Sequence, residues 1–523
     1  MTSDKANKTK DTSGRDRIVK NVFTSWGSHL VLVIVGFIMP RMIDTHLGKN
    51  SLGIWDMSWS FVNYLSLSGM GVGSSVNRYV AKYYSGNDFQ SLNKAVSSVA
   101  AIQVVIAFIV VTGTGMLVLF LPNYLIDWNN DEVSQAISVI GLLGLSLAVQ
   151  MFFDSFRGVI TGLHRWDLHN GLNASASLLA AVLMIVSLTF GNSLVSLAVI
   201  YLIVTSVTEL IRVYLAFSVC RKLDLKVKYI SKFHIKKMLK FGLKSIVAGA
   251  SPLVVLQTIN ISLASSLGAG ALAVFMRPVA LVRHVETFLN KFSHVLTPTV
   301  GSLMGIGKDE EIKDFLIQTT KYSVSITLPM VLILAILGDH ILNVWMGPDY
   351  ANSTVISVLA LGSFFSISQS SVLRVLMGMN MHGRVAVFTF ILSIMLLIAG
   401  VMINNHFGWT LVNAAILTVS ILTITRGFII PMYTCRKIGI SYLHYFSKSF
   451  GYPLFGGLVI LLWLFFSRWL GADNSLQVLL VGLLGTAVIY PIIFWSYIKP
   501  AFEARKARKA RKARKAIEYN QEL

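Results

Sequence analysis

The sequence predicts an all-α polytopic membrane protein of fourteen transmembrane helices, arranged as two parallel six-helix repeats plus two extra C-terminal helices. Three observations predict it. Of 523 residues, 54% are hydrophobic and 13% charged, with a mean hydropathy of +0.67, which excludes an ordinary soluble globule. The apolar residues come in blocks of about 20, the length that crosses a hydrocarbon layer as a helix. Lys and Arg are concentrated between alternate blocks, which is how orientation in a membrane is written.

In order, the blocks lie near 18 to 39, 52 to 75, 95 to 121, 136 to 160, 168 to 191, 194 to 219, 239 to 265, 271 to 298, 318 to 337, 353 to 375, 385 to 404, 408 to 433, 450 to 469 and 476 to 498. The first lacks a small-residue cleavage site and is expected to be an uncleaved span. An even number of spans puts both termini on one side. With that side cytoplasmic, 39 of the 45 Lys and Arg fall on inner segments and their flanking helix ends. The formal charge of +21 is therefore topogenic, and no nucleic-acid partner is expected. Cys220 and Cys435 fall in inner loops, a reducing setting, so no disulfide framework is expected.

A repeat is visible. Leu47-Gly48-x-x-x-Leu52-Gly53-Ile54-Trp55 recurs as Leu267-Gly268-x-x-x-Leu272-Ala273-Val274-Phe275, about 220 residues later. Gly86-Asn87-Asp88 is echoed by Gly307-Lys308-Asp309, Arg157 to Gly162 by Arg374 to Gly378, and Cys220-Arg221-Lys222 by Cys435-Arg436-Lys437. The expected domains are a cytoplasmic segment 1–17, an N-terminal lobe 18–219, a basic linker 220–238, a C-terminal lobe 239–433, helices 13 and 14 over 450–498, and a basic tail 499–523. Six spans per copy is even, so the copies point the same way, an architecture that puts a substrate site between two bundles near the midplane.

The eighth span is the most informative. A charge at a helix centre costs about 2.5 to 3.5 kcal/mol on insertion scales, yet this segment carries Arg277, Arg283, His284, Glu286, Asn290, Lys291 and His294. At 100° per residue these and Thr287 occupy one half of the circumference, and Leu281, Val282, Val285, Phe288, Leu289, Phe292, Val295 and Leu296 the other. The polar half should line a hydrated, net positive cavity that attracts anions. The alternative is that Arg277 and Lys291 snorkel to the two interfaces while Glu286 neutralises Arg283 three residues away.

In the second span Asp56, Trp59, Ser60, Asn63, Ser66, Ser74 and Asn77 share a side, which fits either the same cavity or interhelical hydrogen bonds. Arg41, after Pro40, would snorkel or close the cavity mouth. Glu209 with Arg212, and Asp154 with Arg157, are spaced as ion pairs that close helix ends. The tail from Ala504 to Lys515 repeats in threes, so its alanines form no lasting stripe on a helix. It should act as a polycation on anionic membrane lipid.

The phrase Pro40-Arg41 through Leu47-Gly48 to Gly53-Ile54-Trp55, then Gly73-Ser74-Ser75 to Arg78 and Ala81, resembles the opening of bacterial polysaccharide-unit flippases of the Wzx type. These belong to the multidrug/oligosaccharidyl-lipid/polysaccharide (MOP) exporter superfamily. Trp345-Met346-Gly347-Pro348-Asp349-Tyr350 resembles that family's recurring outer turn. The resemblance implies lobes like those of MATE transporters, in the cell inner (cytoplasmic) membrane. It further implies flipping of an undecaprenyl-pyrophosphate-linked oligosaccharide to the outer leaflet by alternating access, for surface polysaccharide biosynthesis. An H+ or Na+ gradient would drive it, no cofactor is needed, and polysaccharide polymerase machinery is an implied partner.

With that cargo, Arg277, Arg283, Lys291, His284 and Asn290 are the candidates for the anionic head group, with Arg41, Asp56 and Asn63 as secondary contacts. Glu286, with His284 or His294, is the candidate for coupling to protons. A lipid II flippase would share all of this. A drug/cation antiporter of the same fold would want acidic groups in its cavity. An enzyme such as a glycan polymerase or ligase would be expected to show a substantial outer loop carrying its reacting groups; none is seen, and no nucleotide-binding or metal motif occurs.

Overall fold

The computed structural model describes residues 18–69, 72–125, 128–293, 296–305, 309–470 and 474–495, and these are helical nearly throughout. The segment 1–17, His294 and the tail 499–523 lie outside the described residues. Helix α1 (Ile18–Ser66) is 49 residues long, well beyond one membrane crossing. It is two legs joined at Gly48, whose φ of 83° and ψ of 169° only glycine adopts without strain. Then come α2 (Val72–Ser85), α3 (Phe89–Phe120), α4 (Asn130–Gly162), α5 (Trp166–Thr189) and α6 (Leu194–Val219). Asp88 caps α3 by accepting the Ser91 amide at 2.9 Å, and Asn129 with Glu132 forms a capping box on α4.

Helix α7 (Lys232–Leu267) ends at Gly268, with φ of 86° and ψ of 166°, and α8 (Ala269–Ser293) follows at once. Next are α9 (Leu296–Gly305), α10 (Asp309–Met346), α11 (Ser353–Ser368), α12 (Ser370–Gly378) and α13 (His382–Phe407). Last come α14 (Leu411–Leu422), a π-helical stretch Thr423–Ile429, α15 (Ile430–Ile438), α16 (Tyr442–Leu470) and α17 (Ser475–Trp495).

The paired sequence phrases have paired conformations. Gly48 and Gly268 share backbone angles, and His164 (φ 58°) and Asn380 (φ 56°) make matching left-handed turns before α5 and α13. A Cβ on Gly162 would stand 2.8 Å from the Asn77 carbonyl oxygen and from Val80 Cβ; on Gly378 it would stand 2.8 Å from the Thr297 oxygen and from Val300 Cβ. In both places small residues let helices approach closely.

Twelve helices among the described residues are long and apolar enough to span a membrane. The expected fourteen differ by two counts: Phe23–Gly69 is a single entity holding both legs of α1, and α8 falls outside the set because its polar groups lower its hydropathy.

By packing, the chain forms two units. The first takes in the chain to Met276 together with Ala386–Ala414; the second takes in Arg277–Val385 and the chain from Ala415. This differs from lobes bounded at 18–219 and 239–433, because α7 and α13 are held in the first unit. Tyr64 Oη donates to the Val254 carbonyl (3.0 Å), Asn260 Nδ2 to Ser60 Oγ (3.1 Å), and Ser251 Oγ meets Ser393 Oγ at 2.7 Å. The first unit has α3 against α4 and α4 against α6 at its centre. The second has a buried cluster that includes Val300, Leu316, Val372, Val375, Leu376 and Tyr445.

Candidate substrate-binding helix

Helix α8 is amphipathic in the sense the sequence requires. Leu281, Val282, Val285 and Leu289 are buried, Arg283 and Thr287 are exposed, and His284, Glu286, Asn290 and Lys291 are half-buried. Phe288 departs from the apolar half and is exposed. Arg277, one residue before the helix-interrupting Pro278, is only 3% exposed, so it does not snorkel to an interface.

The same-helix neutralisation of Arg283 by Glu286 does not form. Glu286 Oε1 instead accepts from Arg426 Nη1 at 3.0 Å, across 140 residues of sequence. Among the described residues Arg283 has no ion-pair partner, and neither Arg283 nor Asn290 makes a side-chain hydrogen bond. The Thr287 hydroxyl donates to the Arg283 carbonyl of its own helix (2.8 Å). His294, a coupling candidate, lies outside the described residues.

Arg426 is the residue that reading the sequence missed, having been counted with an inner loop. The available signal was an arginine within an apolar block with no acid nearby, which needs a partner on another helix. It sits in the π-helical stretch Thr423–Ile429, a local widening of the ladder often found at functional positions. Neighbours satisfy that stretch: Gln369 donates its amide to the Gly427 carbonyl, and Thr423 Oγ1 donates to the Gly362 carbonyl at 2.5 Å. Gln369 Oε1 accepts from Tyr445 Oη at 3.1 Å, and that hydroxyl lies 3.1 Å from Thr320 Oγ1, so Arg426 stands on a buried hydrogen-bonded support. In the second unit Arg426 thus reaches across to the α8 carboxylate of Glu286.

The secondary candidates belong to the first unit. Asp56 and Asn63 are half-buried and Arg41 is exposed. The hydroxyls of the second leg are largely occupied: Ser58 Oγ donates to the Ile54 carbonyl (2.7 Å), Ser66 Oγ to the Asn63 carbonyl (2.6 Å), and Ser60 accepts from Asn260. On this face Ser60 is bonded between helices and Ser66 within its own. The expected pairs Glu209–Arg212 (2.9 Å) and Asp154–Arg157 (2.6 Å) are present. They are extended by Arg212 Nη2 donating to Asn173 Oδ1 (3.0 Å) and Gln103 Nε2 to Asp154 Oδ2 (3.0 Å).

Comparison with known proteins bears on what this helix serves. Residues 18–304, more than half of the chain, match a family described as polysaccharide biosynthesis protein. An uncharacterized membrane protein of Methanocaldococcus jannaschii is 24% identical over 425 residues, covering 78% of this chain and 82% of its own. Among solved structures, the lipid II flippase MurJ in an inward closed conformation superposes with a TM-score of 0.67 at 13% identity, covering 92% of this chain and 100% of that one. An inward-facing MATE family transporter of the MOP superfamily gives 0.64 at 16% identity, covering 79% and 98%. A MOP superfamily transporter from Pyrococcus furiosus, described as having a binding pocket of reverse polarity that suggests a different function, gives 0.59 at 16% identity, covering 82% and 96%. The fold is the one these solved structures share.

Proposed function

Since the chain belongs to the polysaccharide biosynthesis protein family, we propose that it is a flippase that carries a pyrophosphate-linked saccharide on a polyprenyl lipid across the membrane by alternating access. The observation that carries this reading is Arg283 on α8, exposed and without an ion-pair or hydrogen-bond partner among the described residues, while the nearby carboxylate of Glu286 is engaged by Arg426. Such a cation within an apolar protein is costly unless an anion or water completes it. A pyrophosphate bridging a lipid and a sugar is an anion that must cross. Arg283 offers a guanidinium fork free for bidentate contact, Lys291 a point charge, and Asn290 and His284 hydrogen bonds to the head group or first sugar.

The Glu286–Arg426 pair joins α8 to the π-helical stretch, and protonating Glu286 would release Arg426 toward the cargo. That makes it the coupling element if protons drive the cycle. The protein is on this reading a transporter, not an enzyme, and both termini face the cytoplasm. The Pyrococcus furiosus structure, described as having a pocket of reverse polarity, is a precedent for variation of pocket charge on this fold. A cation antiporter is disfavoured by the sign of the charge.

The test is complementation of a strain blocked in surface glycan export. R283Q/K291Q should reduce surface glycan at least about 100-fold, the cost of two lost charge-assisted contacts, while the protein remains in the membrane at normal level. Unchanged export would remove the proposal. Identifying which lipid-linked precursor accumulates inside cells lacking the protein separates an oligosaccharide unit from lipid II.

A further inference from the structure

Away from α8, one end of the first unit holds a cavity of about 710 Å³ where the ends of α2, α3, α4, α5 and α6 meet. Tyr84, Phe89, Leu168 and Leu215 are among its lining residues, and Ala81 and Gly162 leave it room. Its charged lining is Arg165, Arg221 and Lys222. Arg165 shares the single carboxylate of Asp167 with Lys20, at 2.9 and 3.1 Å, so one positive charge is left over. Arg221 and Lys222 make no ion pair among the described residues, whereas Arg157, Arg212 and Arg468 each have a carboxylate. The nearest downstream acid, Asp224, is taken by Lys226 at 2.7 Å.

These cations are held in place. Asn93 brackets their turn, donating to the Lys222 carbonyl (3.2 Å) and accepting the Asp224 amide (3.0 Å), and Lys222 Nζ lies 5.2 Å from the centre of the Phe89 ring. Leading away along α6 is an exposed apolar stripe of Ile203, Val207, Leu210, Tyr214 and Phe217, at the spacing of one helix face. A cation-lined hollow at the end of α6 and an exposed apolar stripe along the same helix have the form of a head group with its chains.

We propose that this cavity is a binding site for an anionic glycerophospholipid, with the phosphate against Arg221 and Lys222 and the acyl chains along α6. The site is separate from the α8 face and does not depend on what the protein transports.

Native mass spectrometry of the delipidated full-length protein, with phosphatidylglycerol or phosphatidylcholine added back, tests it. Wild-type protein should retain one phosphatidylglycerol more tightly than phosphatidylcholine. R221Q and K222Q should each weaken that retention about fivefold, as expected for one basic residue at an anionic lipid surface. L215W, or A81F if the first variant is unstable, fills the hollow without touching the charges and should lose the lipid as well. K228Q, a basic residue outside the cavity, should change nothing. If K228Q weakens retention as much as R221Q does, or if both filling variants keep the lipid, the effect is general surface charge and the site does not exist. If glycerol phosphate displaces phosphatidylglycerol at equal concentration, the acyl chains contribute nothing and the proposal also falls.

Discussion

Residues 49–66 of α1 and helix α8 each leave a glycine of nearly the same backbone angles, Gly48 and Gly268, yet they use their polar residues in opposite ways. In the first, hydroxyls are turned inward: Ser58 and Ser60 are buried, and Ser60 and Tyr64 bond to α7. In the second, charge is kept available: among the described residues Arg283 has no ion-pair partner and Glu286 pairs with Arg426 across the fold. The same backbone plan therefore supports a packing seam in one place and a charged face in another. The difference follows from residue type: neutral hydroxyls can be satisfied by a helix carbonyl, whereas a guanidinium needs an anion or water.

The largest expected effect of breaking this comparison is at the point where the two stretches touch. A Cβ on Gly53 would lie 1.8 Å from the Ala269 carbonyl oxygen, so G53V must push backbone aside and should cost about 3 kcal/mol or more. Loss of the folded monomer on detergent size-exclusion chromatography would show it. Next is the functional contrast: R283Q/K291Q should abolish export, whereas S60A, on the seam, should leave at least half of it in the same complementation assay.

E286Q should change stability by only about 1 kcal/mol, because the ion pair with Arg426 is partly exposed. It should nonetheless remove the dependence of transport into proteoliposomes on an imposed pH gradient. Full gradient dependence in that variant would exclude Glu286 from coupling. Gly48 and Gly268 should be equivalent in this respect: G48A and G268A each impose a strained φ above 80° and should each cost about 2 kcal/mol in a thermal melt.

The smallest effect lies at the start of α7, outside both stretches. Burial, with Lys237 and Lys94, holds the His234 imidazole below its ordinary value of 6.5, and Asp88 only partly opposes this. Tyr83 Oη lies 3.5 Å from its Nε2. The folded state therefore favours neutral His234, a contribution complete above pH 6.5 and lost as pH falls below it. H234Q should flatten the decline of melting temperature between pH 6.5 and 5.

Much of this was legible in the chain because the signals are local. The L-G-x-x-x-L phrases marked the two glycine breaks, and the 100° periodicity of Leu281, Val282, Val285 and Leu289 marked the buried half of α8. The Asp154–Arg157 and Glu209–Arg212 spacings marked ion pairs that exist. What was not legible is a partner remote in sequence. The alternative that Glu286 neutralises Arg283 rested on the nearest helical neighbour, whereas Glu286 pairs with Arg426, 140 residues away. The cavity beside Arg221 and Lys222 gave no signal, since it is made where five helix ends converge.

What the sequence determined by itself is the membrane-spanning character, the helical blocks and the two-sidedness of α8, because hydropathy and helical period are properties of consecutive residues. Which carboxylate neutralises which arginine, which hydroxyls are consumed in packing, and where cations are left facing a hollow were decided only by tertiary structure. Those outcomes depend on distances of a few ångströms between residues more than a hundred positions apart, and Coulomb and hydrogen-bond energies fall off steeply with such distances.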